Sequence, residues 1–275
     1  DAGGDPAAVA KRLAAMRARL LAVRGKRPAP LKDDKVLTSW NGLMIRAFAN
    51  GGRVLKRPEY VQAAERAATF LLKKLRHPDD QRLLRTFRKD KAHLNAYLDD
   101  YAFLVEGLLA LHQATGKANW LAAARELTDR QIEMFWDKDN KGFYFTSHDH
   151  ETLLARTRNA FDSVLPSGNG VSIRNLVRLA KLTGEAKYRD HARETLRAFM
   201  PRLRQHQKYE GLGMSHLAMA LGEYLDEFKE PDKPKPPPKS DKPKPSPKSD
   251  KPKPSPKSDK PKPSPKSDKP ARSRA

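Results

Sequence analysis

Two kinds of helix alternate along the first 230 residues, and that alternation limits the fold more than any other feature of the sequence. One kind is apolar on most sides. Ser39 is expected to cap such a helix, which carries Leu43, Ala47, Phe48 and Val54, and similar stretches run over 97–115, 168–183 and 211–228. The other kind is apolar along a single face. Pro58 opens one of these, with Tyr60, Ala64, Ala67 and Leu71 on one side and Glu65, Arg66, Lys73 and Lys74 largely elsewhere, and 118–136 and 186–203 repeat the pattern. A helix that is apolar all round must be covered on every side, whereas a one-sided helix must face solvent. Inner and outer helices in alternation give an all-α fold of stacked hairpins. A further amphipathic helix is expected over about 6–24, where Asp5-Pro6 supplies a cap and a first-turn proline and Val9, Leu13, Met16 and Leu20 recur at helical spacing.

The joins repeat as well. Thr115-Gly116-Lys117-Ala118-Asn119-Trp120 parallels Thr183-Gly184-Glu185-Ala186-Lys187-Tyr188, and Lys56-Arg57-Pro58-Glu59-Tyr60 fills the same slot without glycine. The glycines suit a left-handed helix end, where a missing Cβ removes the steric penalty, and each join sets an aromatic at the head of an outer helix. The segment Gly142-Phe143-Tyr144-Phe145-Thr146 is aromatic enough to read as a short strand, and His93 is placed in a loop.

Composition changes at Pro231. Residues 231–275 hold 15 prolines and a nine-residue unit, Ser240 to Lys248, that recurs from Ser249 and again from Ser258. Proline at that density removes backbone donors and favours extended polyproline II, so a globular unit over 1–230 and a disordered Lys/Pro/Ser-rich tail over 231–275 are expected. The tail carries 15 Lys and Arg against 5 Asp, +10 of the chain's +22. Such a tail is a charged spacer, with weak attraction to anionic surfaces as its expected interaction; it lacks the aromatics that stack on bases, which lowers a nucleic-acid reading. With no cysteine, the chain can hold neither a disulfide nor a thiolate metal site, and no apolar run reaches membrane-spanning length. The expected location is cytoplasmic, and a start at Asp1 is that of a truncated or processed product.

Four motifs, in order, carry a resemblance. They are Lys35-Val36-Leu37-Thr38-Ser39-Trp40-Asn41-Gly42-Leu43-Met44-Ile45, then Tyr97-Leu98-Asp99-Asp100-Tyr101-Ala102-Phe103-Leu104, then Phe135-Trp136-Asp137 with Gly142 to Thr146, and Leu165-Pro166-Ser167-Gly168-Asn169. Over roughly 30–200 the chain resembles the spermatogenesis-associated protein 20 family. The resemblance implies a thioredoxin-like domain followed by an (α/α)6 barrel of the six-hairpin glycosidase type, similar to N-acylglucosamine 2-epimerases, with a loose association with carbohydrate. Here the thioredoxin-like domain is absent and about eight helices stand where a closed barrel has twelve. An incomplete barrel is expected, with that domain and the missing hairpins as its upstream partners.

In such a barrel the inner helices run parallel, so their N-termini gather at one mouth. Trp40, Tyr97 and Tyr101 would offer aromatic faces there, Asn41, Ser167 and Asn169 amide and hydroxyl groups, and Asp99 and Asp100 carboxylates. Glycoside chemistry needs a general acid and a base or nucleophile about 5 to 10 Å apart. Neighbouring helix residues point about 100° apart, so one of Asp99 and Asp100 would need a partner from elsewhere, and Asp162 is the candidate. The alternative is that an aspartate at a helix start caps free N–H groups. His216, near the start of the last inner helix, is a candidate ligand contact, but no second imidazole makes the pair that epimerisation requires. His148 and His150 lack a third metal ligand, so neither metal nor cofactor is expected.

Two readings follow. One is a carbohydrate-binding or carbohydrate-processing barrel, glycosidase-like, with a sugar as ligand. The other is a non-catalytic scaffold that presents its hairpins to a protein, and it requires a mouth filled by side chains.

Overall fold

The structure, a computed structural model, describes residues 5–151, 154–207 and 213–228. Its helices are α1 (Pro6–Arg24), α2 (Thr38–Val54), α3 (Pro58–Lys74), α4 (Leu98–Thr115), α5 (Ala118–Phe135), α6 (Gly168–Thr183), α7 (Ala186–Gln207) and α8 (Ser215–Glu227). Three short strands, β1 (Val36–Leu37), β2 (Leu84–Arg88) and β3 (Lys91–Asn95), pair antiparallel in that order. The expected tail from Pro231, and the expected helix start at Gly211, lie outside the described residues.

The inner helices α2, α4, α6 and α8 stand side by side and parallel. Ser39 meets Asp100, Ile45 meets Gly107 and Arg46 meets Glu106 between α2 and α4; the residue numbers rise together on both sides, as they do only in parallel helices. Between α4 and α6 the contacts run from Asp99 against Gly168, through the Asn175 amide on the Ala102 carbonyl, to Glu106 on Arg174. Between α6 and α8 they run from Gly170 against His216 to Arg174 on Glu223. All-round burial follows: in α4 every residue from Asp100 to Leu111 is buried. Gly42 and Gly107 let α2 and α4 touch, since a Cβ on Gly42 would lie 2.5 Å from the Phe103 carbonyl carbon and one on Gly107 2.8 Å from the Gly42 oxygen.

Helices α3, α5 and α7 form the outer layer and bury single faces, such as Ala64, Ala68 and Leu71 of α3. At the two glycine joins the aromatic bonds back to the preceding outer helix. Trp120 Nε1 donates to Glu65 Oε1 at 3.3 Å, and the Tyr188 hydroxyl donates to Asp129 Oδ1 at 3.0 Å. Gly116 and Gly184 end α4 and α6 with φ of 68° and 72°, the left-handed ends expected of them.

Three local expectations are corrected. Ser39 does not cap α2; the helix begins after Leu37, and the Ser39 amide is instead bound by Asp100. The aromatic segment at 142–146 forms only a bridge between Trp136 and Phe143. The chain's hairpin lies at 84–95, with His93 on β3; its turn, Lys89-Asp90, is strongly charged but takes positive φ at both residues. The first helix forms where expected but buries nothing.

Candidate functional site

The four inner N-termini do meet, and two aspartates bind them together. Asp100, wholly buried, sits in the first turn of α4 and accepts the Tyr97 amide at 2.9 Å, the bond that closes its own helix start. Its other oxygen, Oδ1, accepts the Ser39 amide of α2 at 2.9 Å, while Arg85 of β2 donates at 3.3 Å to Oδ2, the oxygen that accepts Tyr97. Burial pushes the Asp100 carboxyl up, and the Tyr97 amide and the Arg85 charge oppose that rise. Asp162 does the same for the next pair, accepting the Ser167 amide ahead of α6 at 2.8 Å and the His216 amide of α8 at 2.9 Å. Each carboxylate thus satisfies free N–H groups at the starts of two neighbouring helices.

Asp99 differs from both. Among the described residues no hydrogen bond reaches its carboxylate, which lies against the first residue of α6: a Cβ on Gly168 would come within 2.4 Å of Asp99 Oδ1. Burial pushes its pKa up to about 6, the adjacent Asp100 charge adds to the rise, and Arg85 opposes it. Asp99 lines a cavity of about 140 Å³ together with Ser167, Gly168 and Asn169 from the head of α6 and Phe145, Asn159 and Phe161 from the loops before it. Asn159 and Phe161, just before the Leu-Pro-Ser-Gly-Asn motif, escaped the sequence reading, and Phe145 was read there as part of a short strand rather than as a cavity wall.

The other expected residues divide. Ser167 caps α6, its hydroxyl accepting the Gly170 amide at 3.0 Å. Asn169 is buried and spent on backbone: it accepts the Phe143 amide and donates to the Phe143 and Asn159 carbonyls, each at 2.9 Å, which fixes the cavity's loops. Tyr97 stacks on Phe145 with centroids 4.8 Å apart and carries the Arg85 guanidinium 4.6 Å from its ring centre. Tyr101 lies in the core and holds β2, accepting the Leu83 amide at 3.0 Å; burial pushes its phenol up to about 12. His216 borders the mouth with Nδ1 3.4 Å from Asp162. Trp40 and Asn41 do not line this cavity. Trp40 is 60% exposed, and Asn41 donates to the Leu37 carbonyl and faces a groove between α2 and α3.

One turn below the mouth, Leu43, Phe103 and Val171 form an apolar layer with Ala102 and Leu165. Two turns below it lies a ring of charge that sequence reading missed. Arg46, Glu106, Arg174 and Glu223 each stand seven residues after a residue of the mouth, on the same helix face: Ser39, Asp99, Ser167 and His216. Around the arc their charges alternate. Arg46 Nε lies 3.2 Å from Glu106 Oε1, Arg174 Nη1 3.3 Å from that oxygen, and Arg174 Nε and Nη2 2.9 and 2.8 Å from Glu223 Oε1. Arg178, one turn further along α6, reaches both glutamates at 3.8 and 3.7 Å, and its burial lowers its pKa. The periodic recurrence at i+7 was the available signal.

Residues 102–218, from the second turn of α4 to the head of α8, match the family model of N-acylglucosamine 2-epimerase (GlcNAc 2-epimerase). Solved structures of similar fold include a GH76 alpha-mannanase of Bacteroides thetaiotaomicron, 15% identical with a TM-score of 0.57 over 73% of this chain and 56% of that one. Another is the cellobiose 2-epimerase of Spirochaeta thermophila DSM 6192, 20% identical with a TM-score of 0.51 over 62% of this chain and 44% of that one. At such identities the likeness is one of fold, an α/α barrel of which this chain forms part. No helix among the described residues is long and apolar enough to cross a membrane. Spermatogenesis-associated protein 20 of Rattus norvegicus is 35% identical over 196 residues, 68% of this chain and 25% of the relative. The chain spans about a quarter of the length of the curated relatives it matches. Through that shared helical segment the chain is a relative of the spermatogenesis-associated protein 20 family, and its own fold is part of an α/α barrel.

Proposed function

We propose that residues 1–230 form a carbohydrate-binding and carbohydrate-processing barrel domain, with Asp99 as its proton-transfer group. One observation carries this: of the three mouth aspartates, Asp99 alone has no hydrogen-bonded partner among the described residues, and it faces the cavity with a pKa raised to about 6. A carboxyl group with that value is partly protonated near neutral pH, so it can give a proton to a leaving oxygen or take one from a carbon acid. Asp100 and Asp162 hold the helices that frame it and act as positioning residues. The Ser167 hydroxyl and the Asn159 and Ser163 side chains supply polar contacts for sugar hydroxyls, and Phe145 and Phe161 supply apolar walls. The matched epimerase model and the carbohydrate-processing enzymes of similar fold support the ligand class. Epimerisation, in which one imidazole takes a proton from a sugar carbon and a second returns it, is not part of the proposal: among the described residues His216 does not line the cavity and its backbone amide is bound by Asp162.

The test is ligand-observed NMR of the chain with a panel of mono- and disaccharides. Binding by one class, weakened at least tenfold by Asp99→Asn and by Gly168→Val but not by Trp40→Ala, is the expected result. A panel that gives no binding to this chain or to its full-length relatives removes the carbohydrate reading. In that case the apolar layer of Leu43, Phe103 and Val171, which fills the barrel just beneath the mouth, favours the protein-interaction scaffold. The tail over 231–275 is proposed as a flexible cationic spacer, and a cytoplasmic location is likewise a proposal.

A further inference from the structure

Helix α1 is the part of the fold that the barrel does not use. All of its described residues are exposed and none is buried; its N-terminus is capped by Asp5, whose carboxylate accepts the Ala7 and Ala8 amides at 3.1 and 3.3 Å. Yet it carries an ordered apolar seam. Val9, Leu13, Met16, Leu20 and Val23 recur at alternating steps of four and three, the a/d spacing of a coiled coil rather than the wider stripe of a helix that lies on a globular core. Every one of them is exposed, from 42% at Val9 to 70% at Leu20.

The flanks of that seam determine what can cover it. With Leu13 and Leu20 at a and Val9, Met16 and Val23 at d, the g positions are Arg12 and Arg19 and the e positions Ala10, Arg17 and Arg24. None of these four arginines enters an ion pair among the described residues, and no acidic residue lies between Asp5 and Asp33. In a parallel pair, a second copy of the chain would set Arg12 against Arg17 and Arg19 against Arg24, which disfavours self-association. A membrane surface is also a poor match. Interfacial helices separate one broad apolar face from one charged face, whereas here Ala14, Ala15, Leu21 and Ala22 lie on the back of the helix, behind the arginines.

We infer that α1 is a docking helix for an acidic amphipathic helix, one that pairs an a/d seam of its own with Asp or Glu at the flanking positions. Such a partner covers the five apolar residues and neutralises the four arginines together.

The full chain would be titrated, by fluorescence anisotropy, with a labelled peptide of about four heptads that has Leu at a and d and Glu at e and g. That peptide repels itself at neutral pH and so is available to bind. It is expected to bind at least tenfold more tightly than a scrambled peptide of equal composition, a difference the cationic tail cannot produce. Leu13→Asp with Leu20→Asp should abolish the preference. Reversal of the four arginines to glutamate should transfer it to a peptide with Lys at e and g. Circular dichroism of both variants should match the parent, since α1 supports nothing else. Equal binding of the scrambled peptide overturns the inference, as does retained binding after charge reversal. So does α1-dependent dimerisation in sedimentation, or α1-dependent binding to phosphatidylserine vesicles that exceeds binding to the peptide.

Discussion

The four inner helices carry two polar layers about two turns apart, and the layers are built in opposite ways. At the mouth, carboxylates are satisfied by backbone: Asp100 and Asp162 each take amides from two helix starts, where free N–H groups exist in any case. In the ring below, no free backbone is left inside the helices, so the carboxylates of Glu106 and Glu223 depend on guanidinium groups from the neighbouring helices. The charged residues of the lower layer pair with one another through one oxygen of each glutamate, while Glu106 Oε2 and Glu223 Oε2 have no hydrogen-bond partner among the described residues, and the layer sits beneath an apolar cover. The upper layer has one carboxyl group more than its helix starts require, and that group, Asp99, lies on a cavity. The contrast sets carboxylates held by amides or guanidinium groups against Asp99, which has no hydrogen-bond partner among the described residues and is the group proposed to meet a ligand.

Removal of single groups sharpens that separation. Glu106→Ala should cost most, about 3–5 kcal/mol in urea unfolding, because it removes the buried carboxylate shared by three guanidinium groups, leaving Arg46 without a partner and Arg174 and Arg178 with Glu223 alone. A loss below about 1 kcal/mol would show that the ring is incidental. Asp100→Ala should follow, at roughly 2–4 kcal/mol, since it leaves the Ser39 and Tyr97 amides without their acceptor and Arg85 without its partner.

Asp99→Asn should act in the other direction. The folded pKa of Asp99, about 6, lies above its ordinary value of 3.8, so the native state holds this proton more tightly than the unfolded state does. Stability from this group is therefore complete below about pH 4 and is lost as pH rises towards 6. The asparagine variant, having no charge to desolvate, should be more stable than the parent at pH 7, by on the order of 2 kcal/mol, and equal to it at pH 4. Equal stability at both pH values would place Asp99 in water and dissolve the contrast with Asp100.

The sequence made the inner helices legible because a helix apolar on every side has no other place in a fold. The joins were equally plain, since Gly116 and Gly184 fill left-handed positions that few residues accept. It also singled out Asp99, Asp100 and Asp162, but it could not distribute their roles. All three stand near helix starts, and which of them is spent on amides depends on which neighbour's N-terminus lies alongside. Residues 84–95 were obscured because a Lys-Asp turn in place of Asn-Gly hides a hairpin. Asn169 and Tyr101 carry polar groups that suit a ligand, and only tertiary packing shows those groups committed to Phe143 and Leu83. For α1 the periodicity predicted the helix correctly, but not that its apolar seam stays exposed among the described residues.

The most direct test of this account is a pH titration of the side-chain carboxyl carbons in protein labelled at aspartate, followed by 13C NMR. One resonance, absent from Asp99→Asn, should titrate with a midpoint near 6. If no resonance lost in that variant titrates above about pH 4.5, close to the ordinary carboxylate range, Asp99 is not the buried, unpaired group of the mouth and the proposed site has no proton-transfer residue.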